Sequence, residues 1–332
     1  MLFRNTDWQT VYIEICKVNV GWLLVSQVFA WGAYFARAQR WSYIVREAAP
    51  ASFRNLFSAI QISFLVNFTI PARLGEFVRA YILARLEGLP LSQSIIMVVL
   101  DRINDLFGLL CVVAVALLSF PQGQSIELPA ELFANELPMV ISSSIIKPAV
   151  ISLLLIFFGA VTVLLLLFLT RDFVFQWIEW TNKGRGKKIY KKLQGIVTNI
   201  SEGMKIFKSR NKILLSLFFS LIIWLAGVLS LGALFSAFSL PFPWFAPFLG
   251  LTLIALFIAI PIAPGMIGQY HIAVIICLLF TMPGIDIDKA KAIAIVGHAL
   301  TLLPIACLGI FCLIDGNISI FQMKQAVSLQ KK

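Results

Sequence analysis

Charge is scarce in this sequence. Only 13% of its 332 residues are Asp, Glu, Lys or Arg, about half the share of a soluble domain, which excludes an ordinary water-soluble fold. Histidine is rarer still, with two in the chain, and the five cysteines (Cys16, Cys111, Cys277, Cys307, Cys312) show no C-x-x-C pairing. No metal site, disulfide framework or cofactor is therefore expected. The phosphate-cradling pattern G-x-x-x-x-G-K-[ST] does not occur, which argues against ATP-driven work by the chain itself. The opening MLFRNTDWQTVYIEICKV has neither an apolar h-region nor a small-residue cleavage site, so it does not read as a signal peptide.

Apolar residues make up 60% of the chain and the mean hydropathy is +0.91. Runs such as VISLLLIFFGAVTVLLLLFLT (150–170) carry no charge and are long enough, at about 1.5 Å per residue, to cross a hydrocarbon core of about 30 Å. The composition predicts an all-α polytopic membrane protein.

The few charges set its orientation, because Lys/Arg-rich loops stay in the cytoplasm. Residues 37–54 (Arg37, Arg40, Arg46, Arg54), residues 171–212 and the tail 315–332 are expected inside. The acidic 121–148 segment and the uncharged LPFPWFAP (240–247) are expected outside. Single spans then fall near 20–36, 94–118, 149–170, 213–238 and 292–314. Residues 55–92 and 244–285 each begin and end on one side, so each is expected to be a re-entrant hairpin, broken by Pro71 and Gly75 in the first and by Pro264, Gly265 and Gly268 in the second.

An offset of 193 aligns Pro71 with Pro264, Gly75 with Gly268, Phe77 with Tyr270, Trp31 with Trp224, and Asp105 with His298. The expected organisation is a polar segment 1–19, a first repeat 20–118, a linker 119–212 with one span, an inverted second repeat 213–314 and a cytoplasmic tail 315–332. Each repeat is a span, a broken re-entrant hairpin and a span, with one extra span joining them. Inverted repeats with broken helices are a common transporter plan, with sites near the midplane. Within the linker, KKIYKKLQGIVTNISEGMKIF places apolar residues at helical spacing opposite lysines. The basic 183–212 segment is expected to lie on the anionic cytoplasmic leaflet or simply to set topology; nucleic acid is not expected as a partner.

The first repeat holds Arg73, Glu76, Arg79, Asp101, Arg102 and Asp105. Charges within a bilayer cost enough that they pair or face a cavity. One reading is that these groups neutralise one another and lock the hairpin to the next span. The other is that they surround a hydrated cleft for an anionic headgroup, which arginine's planar fork suits. In the second repeat His271 and His298 stand in the corresponding region, either as hydrogen-bonded core residues or as proton-handling groups.

These motifs resemble the lysylphosphatidylglycerol synthase transmembrane (flippase-like) family of prokaryotic membrane proteins. The likeness rests on Pro71, Arg73, Gly75, Glu76 and Arg79, then Asp101, Arg102 and Asp105, and the turn of Pro264, Gly265 and Gly268. It implies a multi-pass plasma-membrane protein that moves or handles a lipid, with Arg73, Glu76, Arg79, Asp101, Arg102 and Asp105 as headgroup residues and Pro71, Gly75, Pro264, Gly265 and Gly268 as turn residues; His271 and His298 are headgroup candidates by their place in the second repeat. Where the family often has an acid this chain has His271, and where it often has an arginine this chain has His298. In bifunctional relatives a soluble aminoacyl-transfer domain follows; only residues 315–332 follow the last expected span here, so that activity is not expected. Two other functions fit the residues: an intramembrane lipid-modifying transferase with Asp101 or Asp105 as base and His298 as acid, and a non-transporting partner of an envelope-biosynthesis enzyme docking through 183–212.

Overall fold

The computed structural model describes residues 3, 6–70, 74–119, 125–128, 139–142, 209–259 and 263–316, with isolated positions between 148 and 198. The span expected at 149–170, most of the basic 183–212 segment, and the tail beyond 316 lie outside the described residues, as do Pro71 and Arg73.

Helices dominate. They are α1 (Trp8–Cys16), α2 (Val20–Ala48), α3 (Phe53–Thr69), α4 (Gly75–Glu87), α5 (Leu91–Ser119), α6 (Arg210–Ala237), α7 (Ala246–Ala259), α8 (Gln269–Thr281) and α9 (Ile287–Asp315). Between α5 and α6 a small antiparallel ribbon pairs β1 (Ser125–Leu128) with β2 (Met139–Ser142). Among the described residues three stretches, Arg210–Ala237, Pro264–Thr281 and Ile287–Asp315, are long and apolar enough to cross a membrane, and the bent pair α1–α2 makes a fourth if it is one span. The chain is a multi-pass helical membrane protein.

Helix starts follow capping chemistry, since the first amides of a helix lack intrahelical partners. Asp7 accepts from the Gln9 amide, Asn19 from Trp22, Ser52 from Asn55 and Asp286 from Lys289. The left-handed Gly88 (φ 67°) stops α4. Inside the apolar helices, hydroxyls bond back to the preceding turn, as Thr252 does to the Phe248 carbonyl and Thr301 to Gly297.

α2 and α6 form the central helix pair and run antiparallel. The Asn19 amide donates to the Ala237 carbonyl (2.9 Å), the Ser26 and Ser230 hydroxyls meet at 2.9 Å, Arg40 reaches Ser220 (2.9 Å), and Glu47 pairs with Lys212. On one flank α3 packs on α4 and α9; on the other, α7 packs on α8 and α5. Among the described residues two apolar cores result, one mainly of α2–α5 around Trp41, Ile44 and Leu56, the other mainly of α6–α9 around Phe235, Val274 and Ile293.

The first expected span proved too short. α2 does not end near residue 36 but continues to Ala48, and Trp41, Ile44 and Val45 are fully buried along it. Arg37 and Arg40, read from sequence as cytoplasmic loop charges, are therefore helix residues facing the protein interior. Residues 8–16, read only as part of a polar segment, form a helix.

Candidate functional site: a buried arginine–aspartate cluster

The first hairpin turns where the sequence expected. α3 ends at Thr69, α4 begins at Gly75, and the Gly75 amide donates to the Asn67 side-chain carbonyl at 2.7 Å. A side chain at Gly75 would sit 2.1 Å from the Ser63 carbonyl oxygen, so the two helices approach at a distance only glycine permits. The Asn67 amide also donates to Glu76, at 3.3 and 3.2 Å, fixing that carboxylate at the start of α4.

One turn further along α4, Arg79 is fully buried. Its guanidinium lies 3.6 Å from the Trp41 ring centroid and donates to Asp101 at 2.7 Å. Asp101 and Asp105, four residues apart on α5, face the same side, and α2 answers them with Arg37 and Arg40. Arg40 donates through Nε to Asp101 (2.9 Å) and through Nη1 to Asp105 (2.8 Å). Arg37 holds both oxygens of Asp105, at 2.8 and 2.9 Å. Arg102 donates to Asp105 at 3.0 Å and lies 3.9 Å from Glu76.

The cluster has two halves. Arg40, Arg79 and Asp101 have fully buried side chains. Toward the rim, Arg37, Arg102, Asp105 and Glu76 keep 18%, 34%, 12% and 31% of their side-chain surface exposed. Among the described residues, four guanidiniums face two aspartates and one peripheral glutamate, an excess of one positive charge. Each aspartate oxygen is already taken by at least one guanidinium. The arginines have donors to spare: among the described residues, Arg40 Nη2, Arg79 Nε and Nη2, and Arg102 Nε and Nη2 are buried with no acceptor. Groups of that kind are rarely left unpaired in a finished interior.

Arg37 also lines a cavity of about 320 Å³ between α2, α6, α7 and α9. Its walls are mainly apolar, including Phe64, Leu231, Leu234 and Ile254, with Gln27, Ser230 and Thr301 as polar points. Among the described residues, Arg37 is the one charged residue on that lining. Trp224 borders the same space, and its indole N–H is buried without an acceptor among the described residues.

The second turn is built differently. Pro264–Met266 forms one 3-10 turn, with Gly265 at φ 63° and Gly268 at φ 85°. A side chain at Gly265 would meet the Phe68 ring at 2.5 Å, so this turn rests against the end of α3. His298 bonds the Gly265 carbonyl oxygen through Nε2 at 2.7 Å, and His271 Nδ1 accepts from the Gly268 amide at 3.3 Å. The two imidazoles pack together, with centroids 4.7 Å apart.

The structure thus gathers Glu76, Arg79, Asp101, Arg102 and Asp105 as the sequence grouped them. It brings His271 and His298 to each other and to the second turn; among the described residues neither bonds to the arginine cluster. Arg37 and Arg40 were missed, although their i,i+3 spacing followed by the buried WSYIV run is the signature of a continuing helix face.

A protein-family model described as lysylphosphatidylglycerol synthase TM region matches residues 1–309. No curated protein and no solved structure gives a match.

Proposed function

The chain belongs to the lysylphosphatidylglycerol synthase TM region family, and from that premise we propose that it is a lipid transporter, moving an anionic phospholipid or isoprenoid-linked lipid between leaflets. The observation that carries this reading is the position of Arg37, which belongs both to the charged cluster and to the apolar cavity wall. A site with surplus guanidinium donors beside an apolar slot matches a molecule with an anionic head and a hydrocarbon body. Arginine serves such a head through paired, charge-assisted hydrogen bonds, and a volume near 300 Å³ is enough to hold part of a small ligand.

The helix pattern supports an inverted-repeat reading of the transporter. α3, α4 and α5 have 17, 13 and 29 residues, and α7, α8 and α9 have 14, 13 and 29. The leading helices α2 and α6 run antiparallel, as repeats of opposite topology require, and the cavity lies between the two sets. In this reading α3–α4 and α7–α8 are the re-entrant hairpins. The transferase alternative gains nothing from the geometry, because the oxygens of Asp101 and Asp105 are held by arginines and His298 is tied to a backbone carbonyl.

Reconstitution in liposomes tests the proposal. Headgroup-labelled anionic lipid should exchange between leaflets with the wild-type protein and fall at least about tenfold with Arg37→Gln or Arg102→Gln, each costing one charged hydrogen-bonding partner. Equal exchange by folded wild-type and variant proteins would refute it.

A further inference from the structure

α1 meets α2 at 84°. Since α2 belongs to the membrane-crossing bundle, α1 runs close to the membrane plane, and its nine residues extend about 14 Å at 1.5 Å each, too short to cross. Its faces are unlike. Val11 and Ile15 pack on the α6–α9 core. Trp8 and Tyr12, one turn apart, are 57% and 68% exposed, and Ile13 is 42% exposed.

The location explains that exposure. The α1–α2 junction is bonded to the last turn of α6, Asn19 to Ala237. Glu14 pairs with Lys289 at 3.2 Å, and the Asp7 amide donates to Asp288 at 3.3 Å, both at the start of α9. Phe3 sets its ring edge-on to His271, 5.4 Å between centroids. Two further aromatic residues are exposed at this end of the bundle, Trp22 beginning α2 (45%) and Trp244 just past α6 (65%). The opposite end carries ion pairs too, Glu47 with Lys212 and Arg54 with Asp315, but among the described residues no exposed tryptophan or tyrosine. Tryptophan and tyrosine collect at the headgroup level, where an apolar ring with one polar atom is best solvated.

We propose that α1 is an in-plane interfacial helix whose Trp8–Tyr12 face sits in the headgroup–acyl boundary of the bilayer, fixing the depth of this end of the bundle. Trp8, Tyr12, Trp22 and Trp244 form one aromatic girdle, and α1 links it through Phe3 and Glu14 to α8 and α9. This assignment stands independently of the cargo.

Depth-resolved fluorescence quenching tests it. The full chain is reconstituted in phosphatidylglycerol–phosphatidylcholine vesicles bearing a nitroxide at a shallow or a deep acyl position. The Trp8 signal is taken as wild type minus Trp8→Phe. An interfacial helix, buried about 5–10 Å, should lose at least about twice as much Trp8 signal to the shallow label as to the deep one, with little loss to aqueous iodide. Stronger quenching by the deep label would place α1 inside the hydrocarbon and overturn the proposal. Quenching by iodide with none by either lipid label would place α1 in water and also overturn it. Tyr12→Trp, read as an added signal on the same face, gives the same test should Trp8→Phe not yield folded protein.

Discussion

Asp101→Asn should destabilise the protein far more than Asp105→Asn, although both remove one carboxylate from the same cluster. Asp101 is the only acceptor that Arg79 has among the described residues, and both side chains have no exposure. Changing it to the neutral amide strands a guanidinium whose other nitrogens already lack acceptors and whose ring contact with Trp41 is unchanged. Breaking a buried pair in this way costs about 3–5 kcal/mol, a large part of a typical native stability of about 5–15 kcal/mol. Asp105→Asn also deprives three arginines, but Arg37 and Arg102 are 18% and 34% exposed and can turn toward water, while Arg40 keeps Asp101 and Ser220. Its cost should be nearer about 1–3 kcal/mol. The assay is thermal unfolding in detergent followed by tryptophan emission, with size-exclusion elution confirming the fold. Adding Arg79→Met to Asp101→Asn removes the stranded cation and should recover about 2 kcal/mol or more, a coupling expected of groups in direct contact. Equal destabilisation by the two asparagine variants, or no recovery in the double variant, would refute the division of the cluster into a buried lock and a rim.

Gly75→Ala should cost about 3 kcal/mol or more, because the new methyl would stand 2.1 Å from the Ser63 carbonyl and backbone must move; melting temperature and expression level report it. Gly265→Ala carries two separable penalties: a left-handed φ of 63° worth about 1–2 kcal/mol and a 2.5 Å clash with Phe68. In a Phe68→Ala background only the first should remain, and an unchanged penalty there would show that the clash is not felt. The docking of α1 gives a pH dependence of known sign. The hydrogen bond from Lys17 holds the Glu14 carboxyl below its usual range, and the Thr10 hydroxyl does the same for Asp7. Both folded-state values are depressed, so their contribution is complete above the ordinary carboxylate range and is lost as pH falls through the lower folded values. Trp8 emission should hold steady from pH 7 to about 4.5 and shift only below that; a transition between pH 5 and 7 would contradict it.

Much of this fold was readable because membrane chemistry narrows the choices. Both turns lie where proline and glycine break an apolar run, and α4 and α8 start at Gly75 and Gln269, directly at the expected breaks. Asp101 and Asp105 could be placed on one face from their spacing alone. Arg37 and Arg40 could not be placed correctly, because a charge-counting rule assigns arginine near an apolar run to the cytoplasmic loop. Their true partners lie 61 to 68 residues away along the chain, and nothing local reveals that two aspartates offset their burial. For the histidines the sequence left two readings open, and the structure shows both imidazoles hydrogen-bonded to turn backbone. Alignment of Asp105 with His298 suggested equivalent roles, but Asp105 meets guanidiniums from α2, whereas α6 places Ser230 at the position aligned with Arg37 and Ala233 at that of Arg40. Without cations opposite, the second set of helices uses its imidazoles on turn backbone.

That difference bears on how a transporter of this design would work. A cluster in which charges only locked helices together would gain from exact balance, since each unmatched buried guanidinium carries a desolvation cost. Here the surplus sits in the fully buried half, where Arg40 and Arg79 share the one buried carboxylate of Asp101, while at the rim Arg37 and Arg102 are balanced by Asp105 and Glu76. Arg102 pairs with Asp105 at 3.0 Å and lies 3.9 Å from Glu76, a carboxylate that Asn67 anchors beside the Gly75 turn. An incoming anion competing for Arg102 would therefore release a carboxylate fixed to the tip of the first hairpin. The second turn already touches that hairpin through Gly265 and Phe68. Cargo charge, hairpin position and the contact between the two helix sets would then be one linked equilibrium, and an anion need only bind one arrangement better than the other to shift it.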